Sequence, residues 1–298
     1  MSSSVQRLKI WSISKYHDMK NFFCIILITL LSSQTAGAGV PLVQKQGDSL
    51  YAIRMDSVTM TIDVNGGKIR SFRYGDREML SQLPWPNAYG STFWTSPQKE
   101  WYWPPIPEYD RLPYSVKQRK ASLVMTSQVP RTHQYRITKE FSVDPTDTAF
   151  VVSYTITNMS PLERQVAPWE ITRVVNDGGC IFFDADLEDI TPAGLMDFKE
   201  KGDIVYYQPD AKPTNRKINA DGEGWLAYQN HGLLLMKRFQ DLDTHQPAPN
   251  EAEIQVYVNR GKTYIELESQ GAYTSLKPGK SLTWTVRWYL RPTKDCFQ

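Results

Sequence analysis

The stretch that most limits what this chain can fold into is Tyr264-Ile265-Glu266-Leu267-Glu268-Ser269-Gln270. Ile265 and Leu267 point one way along it, and Tyr264, Glu266, Glu268 and Gln270 the other. A period of two predicts a half-buried strand. Two carboxylates, a phenol and an amide on one face are too polar for a core, so that face is expected to meet water or line a cleft. Gly271 to Lys280 reads as a loop closed by the Pro278-Gly279 turn. Leu282 to Leu290 then alternates again, with Leu282, Trp284, Val286, Trp288 and Leu290 on one face.

The same period recurs upstream. Strands are predicted over 51–54, 58–64 and 68–74, the last two joined by the Asn65-Gly66-Gly67 turn. Others fall at 122–126, 134–143 and 150–158, with a turn at Asp144-Pro145-Thr146-Asp147. Segments 166–174, 181–184, 225–229, 233–239 and 253–258 follow, and residues 186–222 read as loop-rich. On 166–174, Glu170 and Thr172 share one face and Trp169, Ile171 and Arg173 the other. No long helical period, internal repeat or composition break appears. More than a dozen strands at hairpin spacing predict a single all-β domain over 39–298, a large, mostly antiparallel β-sandwich.

Residues 1–38 are set apart as a secretory signal peptide. Met19-Lys20-Asn21 gives a positive start, Phe22 to Leu31 a short apolar run, and Ala36-Gly37-Ala38 small residues for cleavage. Met19 is the simpler start. The run is too short to span a bilayer, so a secreted protein with no integral membrane segment is expected, in the bacterial periplasm or at the cell surface. The remaining chain carries 30 basic and 31 acidic residues, from totals of 34 and 32. It shows no basic stripe, zinc-ligand spacing or phosphate loop, so neither nucleic acid, metal nor cofactor is expected. Cys180 and Cys296 give no spacing from which to read a disulfide.

Nine tryptophans are many for such a chain, and four of them, Trp85, Trp94, Trp101 and Trp103, fall between Leu83 and Pro113. Prolines at 84, 86, 97, 104, 105 and 107 interleave with them, which argues against interior strands and for a stiffened loop. Such a loop either packs its own aromatics over the end of a sheet or forms a rim of flat platforms for sugar rings. Asn158-Met159-Ser160 matches a glycan acceptor pattern but reads as an ordinary asparagine after a strand.

Four places together resemble the galactose mutarotase-like superfamily, the aldose 1-epimerases and their relatives. These are Gly66 to Phe72 with Gly75 and Glu78-Met79-Leu80; Gly90 to Pro97; Val151 to Asn158 followed by Pro168-Trp169-Glu170; and Ile265 to Glu268. Trp94 to Pro105 and Gly222 to Tyr228 resemble, more narrowly, an uncharacterised family of secreted bacterial proteins within it. The resemblance implies a β-supersandwich with a sugar cleft and places Glu268 at the general base. Where the family has its acidic histidine, this chain has Trp169-Glu170, so Glu170 becomes the candidate acid.

Candidate substrate contacts are Trp94, Gln98, Trp101, Trp103, Arg173, Glu266 and Tyr273. Arg173 is read either as a fork for a sugar oxygen or as an ion-pair partner of Glu170 or Glu268. His133, His231 and His245 read as solvated loop residues, and Asp241 with Asp243 as a weak calcium signal. The expected function is carbohydrate binding in a mutarotase-like cleft, with epimerase-like or related sugar chemistry left open. The alternative is a non-catalytic glycan-binding or partner-binding sandwich.

Overall fold

The computed structural model describes residues 42–294; the signal-peptide reading and Cys296 lie outside them. In chain order the strands are β1 (Leu42–Gln46), β2 (Leu50–Met55), β3 (Val58–Asp63), β4 (Lys68–Tyr74), β5 (Arg77–Glu78), β6 (Ser91–Ser96), β7 (Ser115–Gln118), β8 (Ser122–Thr126), β9 (Tyr135–Asp144), β10 (Ala149–Asn158) and β11 (Arg164–Val175). There follow β12 (Cys180–Asp184), β13 (Lys199–Lys201), β14 (Ile204–Tyr207), β15 (Arg216–Ala220), β16 (Trp225–Asn230), β17 (Leu233–Arg238), β18 (Ile254–Val258), β19 (Tyr264–Gln270), β20 (Thr274–Leu276) and β21 (Ser281–Pro292). They make two large antiparallel sheets, which is the all-β sandwich the alternation predicts. The first runs β1-β2-β3-β4-β6-β11-β19-β18-β15, with β5 and β20 on its flanks. The second runs β13-β14-β12-β16-β17-β21-β10-β9-β8-β7.

The sheets meet face to face through rings. Phe93 of the first sheet stacks on Tyr154 of the second at 4.2 Å, and Phe72 meets Phe150 and Trp288 edge-on at 5.2 and 5.5 Å. Such pairs add to their area burial because ring edges and faces carry opposite partial charge. β19 and β21 end up in different sheets. The apolar row of β21 packs inward, with Trp284, Val286, Trp288 and Leu290 buried.

Two local expectations change, and the reading of Asn158 as an ordinary asparagine after a strand stands. Ser91–Ser96 lies inside the proline-rich stretch, yet it is a fully buried interior strand between β4 and β11. Its sequence, Ser-Thr-Phe-Trp-Thr-Ser, is β-favouring and free of proline between Pro86 and Pro97, so no ladder donor is lost. Residues 186–222, read as loop, contain β13, β14 and β15. These strands are three to five residues long and too short to show a period. Asn158 is no acceptor candidate: it is fully buried, and its amide donates to the carbonyls of Leu162 and Leu276 at 2.7 and 2.8 Å.

A buried cation helps fix the hairpin at Gly66. Lys139, fully buried, donates to the Gly66 and Gly67 carbonyls at 2.7 and 3.1 Å, and burial pulls its ammonium down to about 7. Gly66 has a φ of +75°, and a Cβ there would stand 1.9 Å from the Asp110 carbonyl oxygen. Only glycine meets both conditions.

Candidate functional site

Residues directly opposite one another in an antiparallel pair share a face. Across β6, β11, β19, β18 and β15 this rule draws three rows on the side of the first sheet turned away from the second. One row is Trp94, Trp169 and Gln270. The next is Thr92, Ile171, Glu268, Gln255 and Asn219. The third is Arg173, Glu266, Tyr257 and Lys217. The polar side of Tyr264–Gln270 therefore lands beside the apolar-and-arginine side of 166–174.

Each carboxylate of β19 has its own cation. Glu268 is almost fully buried; one of its oxygens accepts the Trp169 indole N–H at 2.8 Å and the Lys217 ammonium at 2.8 Å. Lys217 keeps 35% of its side chain exposed and stands 4.8 Å from the Trp169 ring. Glu266, with 15% exposed, accepts from Arg173 Nε at 2.9 Å. Burial pushes the Glu266 carboxyl above the usual range, Arg173 opposes this, and the charge of Glu268 adds to it. Arg173 is fully buried, its Nη1 and Nη2 have no hydrogen-bond partner, and its guanidinium lies 5.4 Å from the Trp94 ring. A third pair, Lys68 and Asp110 at 3.1 Å, closes the set. The same Asp110 oxygen accepts from Trp94 Nε1 at 3.0 Å and Thr92 at 3.1 Å. Burial alone would raise the Asp110 carboxyl, but Lys68 and Trp94 outweigh it and hold it below the usual range.

The indoles meet on this same face. Trp94 has Trp169 at 5.5 Å, Trp101 at 5.6 Å and Trp103 at 6.2 Å, all edge to face. Trp94 and Trp169 are buried, Trp101 is half-buried, and Trp103 is 62% exposed. The loop carrying Trp101 to Trp103 is held from below. Trp101 Nε1 donates to the Thr95 carbonyl at 2.8 Å, and the amides of Trp101 and Tyr102 both donate to the Gln98 carbonyl. Tyr102 has a φ of +53°, an unusual strain for a bulky residue. Of the four indoles of the proline-rich stretch, Trp94 and Trp101 pack inward and Trp85 and Trp103 face out.

Gln98 and Tyr273 belong to the roof over this face. The Gln98 backbone N–H donates to Glu251 at 3.0 Å, and Glu251 also accepts from Gln270 at 2.7 Å and from Ser96. Tyr273 donates its backbone N–H to Gln246, and burial, with Glu100 and Glu251 nearby, pushes its phenol up. The polar side of β19 is thus largely covered, where open water or an open cleft was expected. Ion pairs and an indole N–H supply the partners that water would have given.

Glu170 does not share this face. Its register partner is Ser269, whereas Glu268 pairs with Ile171, so the two carboxylates point to opposite sides of the sheet. Glu170 is fully buried between the sheets. It accepts from Tyr154 at 2.5 Å, Lys237 at 3.2 Å and Trp288 at 3.3 Å. The acid–base pair of Glu170 with Glu268 is therefore corrected: one residue of offset between adjacent strands turns Glu170 inward. Arg173 is ion-paired, but to Glu266 rather than to Glu170 or Glu268. His133, His231 and His245 are half-buried or exposed; His231 pairs with Asp177 at 2.7 Å and His133 contacts Thr132.

The sequence reading missed Lys217, Lys68 and Asp110. Alternation in Arg216-Lys217-Ile218-Asn219-Ala220 was the available signal for the first. Lys68 and Asp110 carried none, since their pairing depends on how the loop after β6 folds back.

No family profile matches the chain, and no curated protein does. Solved structures do. A galactose mutarotase related enzyme of Lactobacillus acidophilus superposes with a TM-score of 0.56 at 10% identity, over 83% of this chain and 98% of that one. The chain has the galactose mutarotase-like fold. A galactose mutarotase-like protein of Lactobacillus casei gives 0.54 at 10% identity, over 84% and 100%. A candidate aldose 1-epimerase of Escherichia coli K12 gives 0.57 at 11%, over 85% and 99%. At these identities the mutarotase-like likeness is one of architecture. Among the described residues no helix is long and apolar enough to cross a membrane.

Proposed function

We propose that the protein binds a carbohydrate on the outer face of the first sheet, beside Glu268, Glu266 and Lys217. The observation that carries this is the convergence of acid and indole. Trp169 bonds Glu268 through its N–H and packs its ring on Trp94, which leads to the exposed Trp103. Ordered carboxylate acceptors beside flat apolar rings suit a molecule with hydroxyls on its edge and C–H bonds on its faces. The mutarotase-like fold of the neighbours supports the same reading. Glu266 and Lys217 present the partly exposed polar atoms, and Glu268, held behind them by Trp169 and Lys217, is the candidate base. Glu170 contributes from the core by holding β11 in place.

The leader-like residues before position 39 support a secreted protein, and the N-terminus of the mature chain, read by mass spectrometry, tests that. For the site, tryptophan fluorescence titrated with a broad glycan panel is expected to show saturable quenching, and Glu268→Gln to weaken it at least tenfold. A flat response across the panel, or an unchanged affinity in the variant, overturns the proposal.

A further inference from the structure

A second polar hollow opens at the other end of β19. It has a volume of about 470 Å³ and is lined by Trp85, Asn215, Asn259, Arg260 and Thr263. Trp85 is 49% exposed and stands between Pro84 and Pro86, with its carbonyl accepting from the Ala88 amide at 3.2 Å. Its indole is therefore presented on a stiff turn. The hollow's remaining lining is two amides, a guanidinium and a hydroxyl, with no carboxylate. Like the Trp103 end, it presents one exposed indole ring.

The hollow joins the Glu266 row through Tyr257. The Tyr257 phenol donates to Asn259 Oδ1 at 3.2 Å, its ring lies 6.3 Å from that of Tyr264, and its register partner on β19 is Glu266. The residues left partly open between the two ends are Tyr264, Tyr257, Glu266 and Lys217. β19 rises at about 3.3 Å per residue, so its seven residues separate the two ends by roughly 20 Å. A single sugar ring cannot touch both. Within the strip Arg173 faces Glu266 and Lys217 faces Glu268, while Arg260 brings a guanidinium to the hollow with no carboxylate in its lining.

We infer that the ligand is an oligosaccharide, lying along β19 with one sugar unit on Trp85 and another at Trp103. The inference rests on the carbohydrate reading above and extends it. The two platforms set a minimum length.

Calorimetry on the intact chain, with glucans, chitin oligomers, galactans and oligouronates of one to six units, tests it. Affinity is expected to climb at least tenfold between one and four units in one series. Trp85→Ala and Arg260→Ala are each expected to cut that gain to about threefold or less, with circular dichroism unchanged. A monosaccharide bound as tightly as its oligomers, or a gain that survives both variants, overturns the oligosaccharide inference while leaving carbohydrate binding in place. Absence of binding by every sugar overturns both.

Discussion

Glu170→Ala separates a structural from a catalytic role for the carboxylate that the sequence placed in the site and the structure turns inward. The side chains of Glu170 and Lys237 are both completely buried, and their contact is 3.2 Å. Removing the carboxylate strands a buried ammonium that keeps only neutral partners: Thr172 at 3.1 Å, the Leu267 carbonyl at 2.9 Å and Ser269 at 3.4 Å. Breaking one half of such a pair costs about 3–5 kcal/mol. Tyr154 and Trp288 also lose their acceptor, at about 1–3 kcal/mol for each buried group left unsatisfied. The ammonium relieves part of this by losing its proton, since burial already holds Lys237 below its usual range and Glu170 is what opposes that. A total near 4 kcal/mol is expected, or a fall in Tm of roughly 10 °C for a domain of this size.

Urea unfolding followed by far-ultraviolet circular dichroism measures the first quantity, and glycan titration of the folded variant measures the second. The midpoint should drop at an unchanged slope, and affinity in the folded protein should stay within about twofold. Glu170→Gln, which keeps an acceptor for Tyr154, should lose less. The double variant Glu170→Leu, Lys237→Met should recover most of the loss, as buried ion pairs replaced by apolar groups often do. A loss below about 1 kcal/mol in Glu170→Ala, or a collapse of binding in a variant that remains folded, would refute the placement of Glu170 as an inter-sheet tie.

Glu253 and Lys139 make opposite predictions for pH. Glu253 is fully buried and accepts the Leu242 and Gly224 amides; burial lifts its carboxyl to about 8. The folded state thus holds a proton that the unfolded chain has released, so its stabilisation is full below the normal carboxylate range and is lost as pH rises towards 8. Glu253→Gln should flatten that decline in thermal melts between pH 5 and 8. Lys139 sits at about 7 in the fold, so the unfolded chain binds more protons above that value and its contribution improves as pH rises from 7 towards the ordinary lysine range. Lys139→Met should remove that rise. Gly66→Ala must carry a side chain at φ +75° into the Asp110 carbonyl; a loss of more than about 2 kcal/mol is expected, and a neutral result in urea would contradict the close approach.

The parts of this molecule that were legible in the sequence are those where one residue's neighbours along the chain decide its environment. Period-two alternation located β2, β3, β4, β9, β10, β16, β17, β18, β19 and β21, because each has at least one face whose burial a pattern of side chains can report. Asn65-Gly66-Gly67 marked its hairpin because positive φ demands particular residues. Glu268 and Glu266 were found for the same reason: polar residues at even spacing on a strand are conspicuous. What the sequence does not contain is the offset between strands that are far apart in the chain. β11 and β19 are separated by about ninety residues, and their register alone sends Glu170 to Lys237 and Ile171 to Glu268. A shift of one residue would have put Glu170 beside Glu268. The inward pull of Lys237, Tyr154 and Trp288 on Glu170, matched by Lys217 and Trp169 on Glu268, sets that register. The two acids are alike in the chain, and apart from Trp169 the groups that tell them apart lie on four other strands: β15, β17, β10 and β21. The same dependence hid Lys217, which becomes a site residue only once β15 is laid beside β18 at the edge of the sheet.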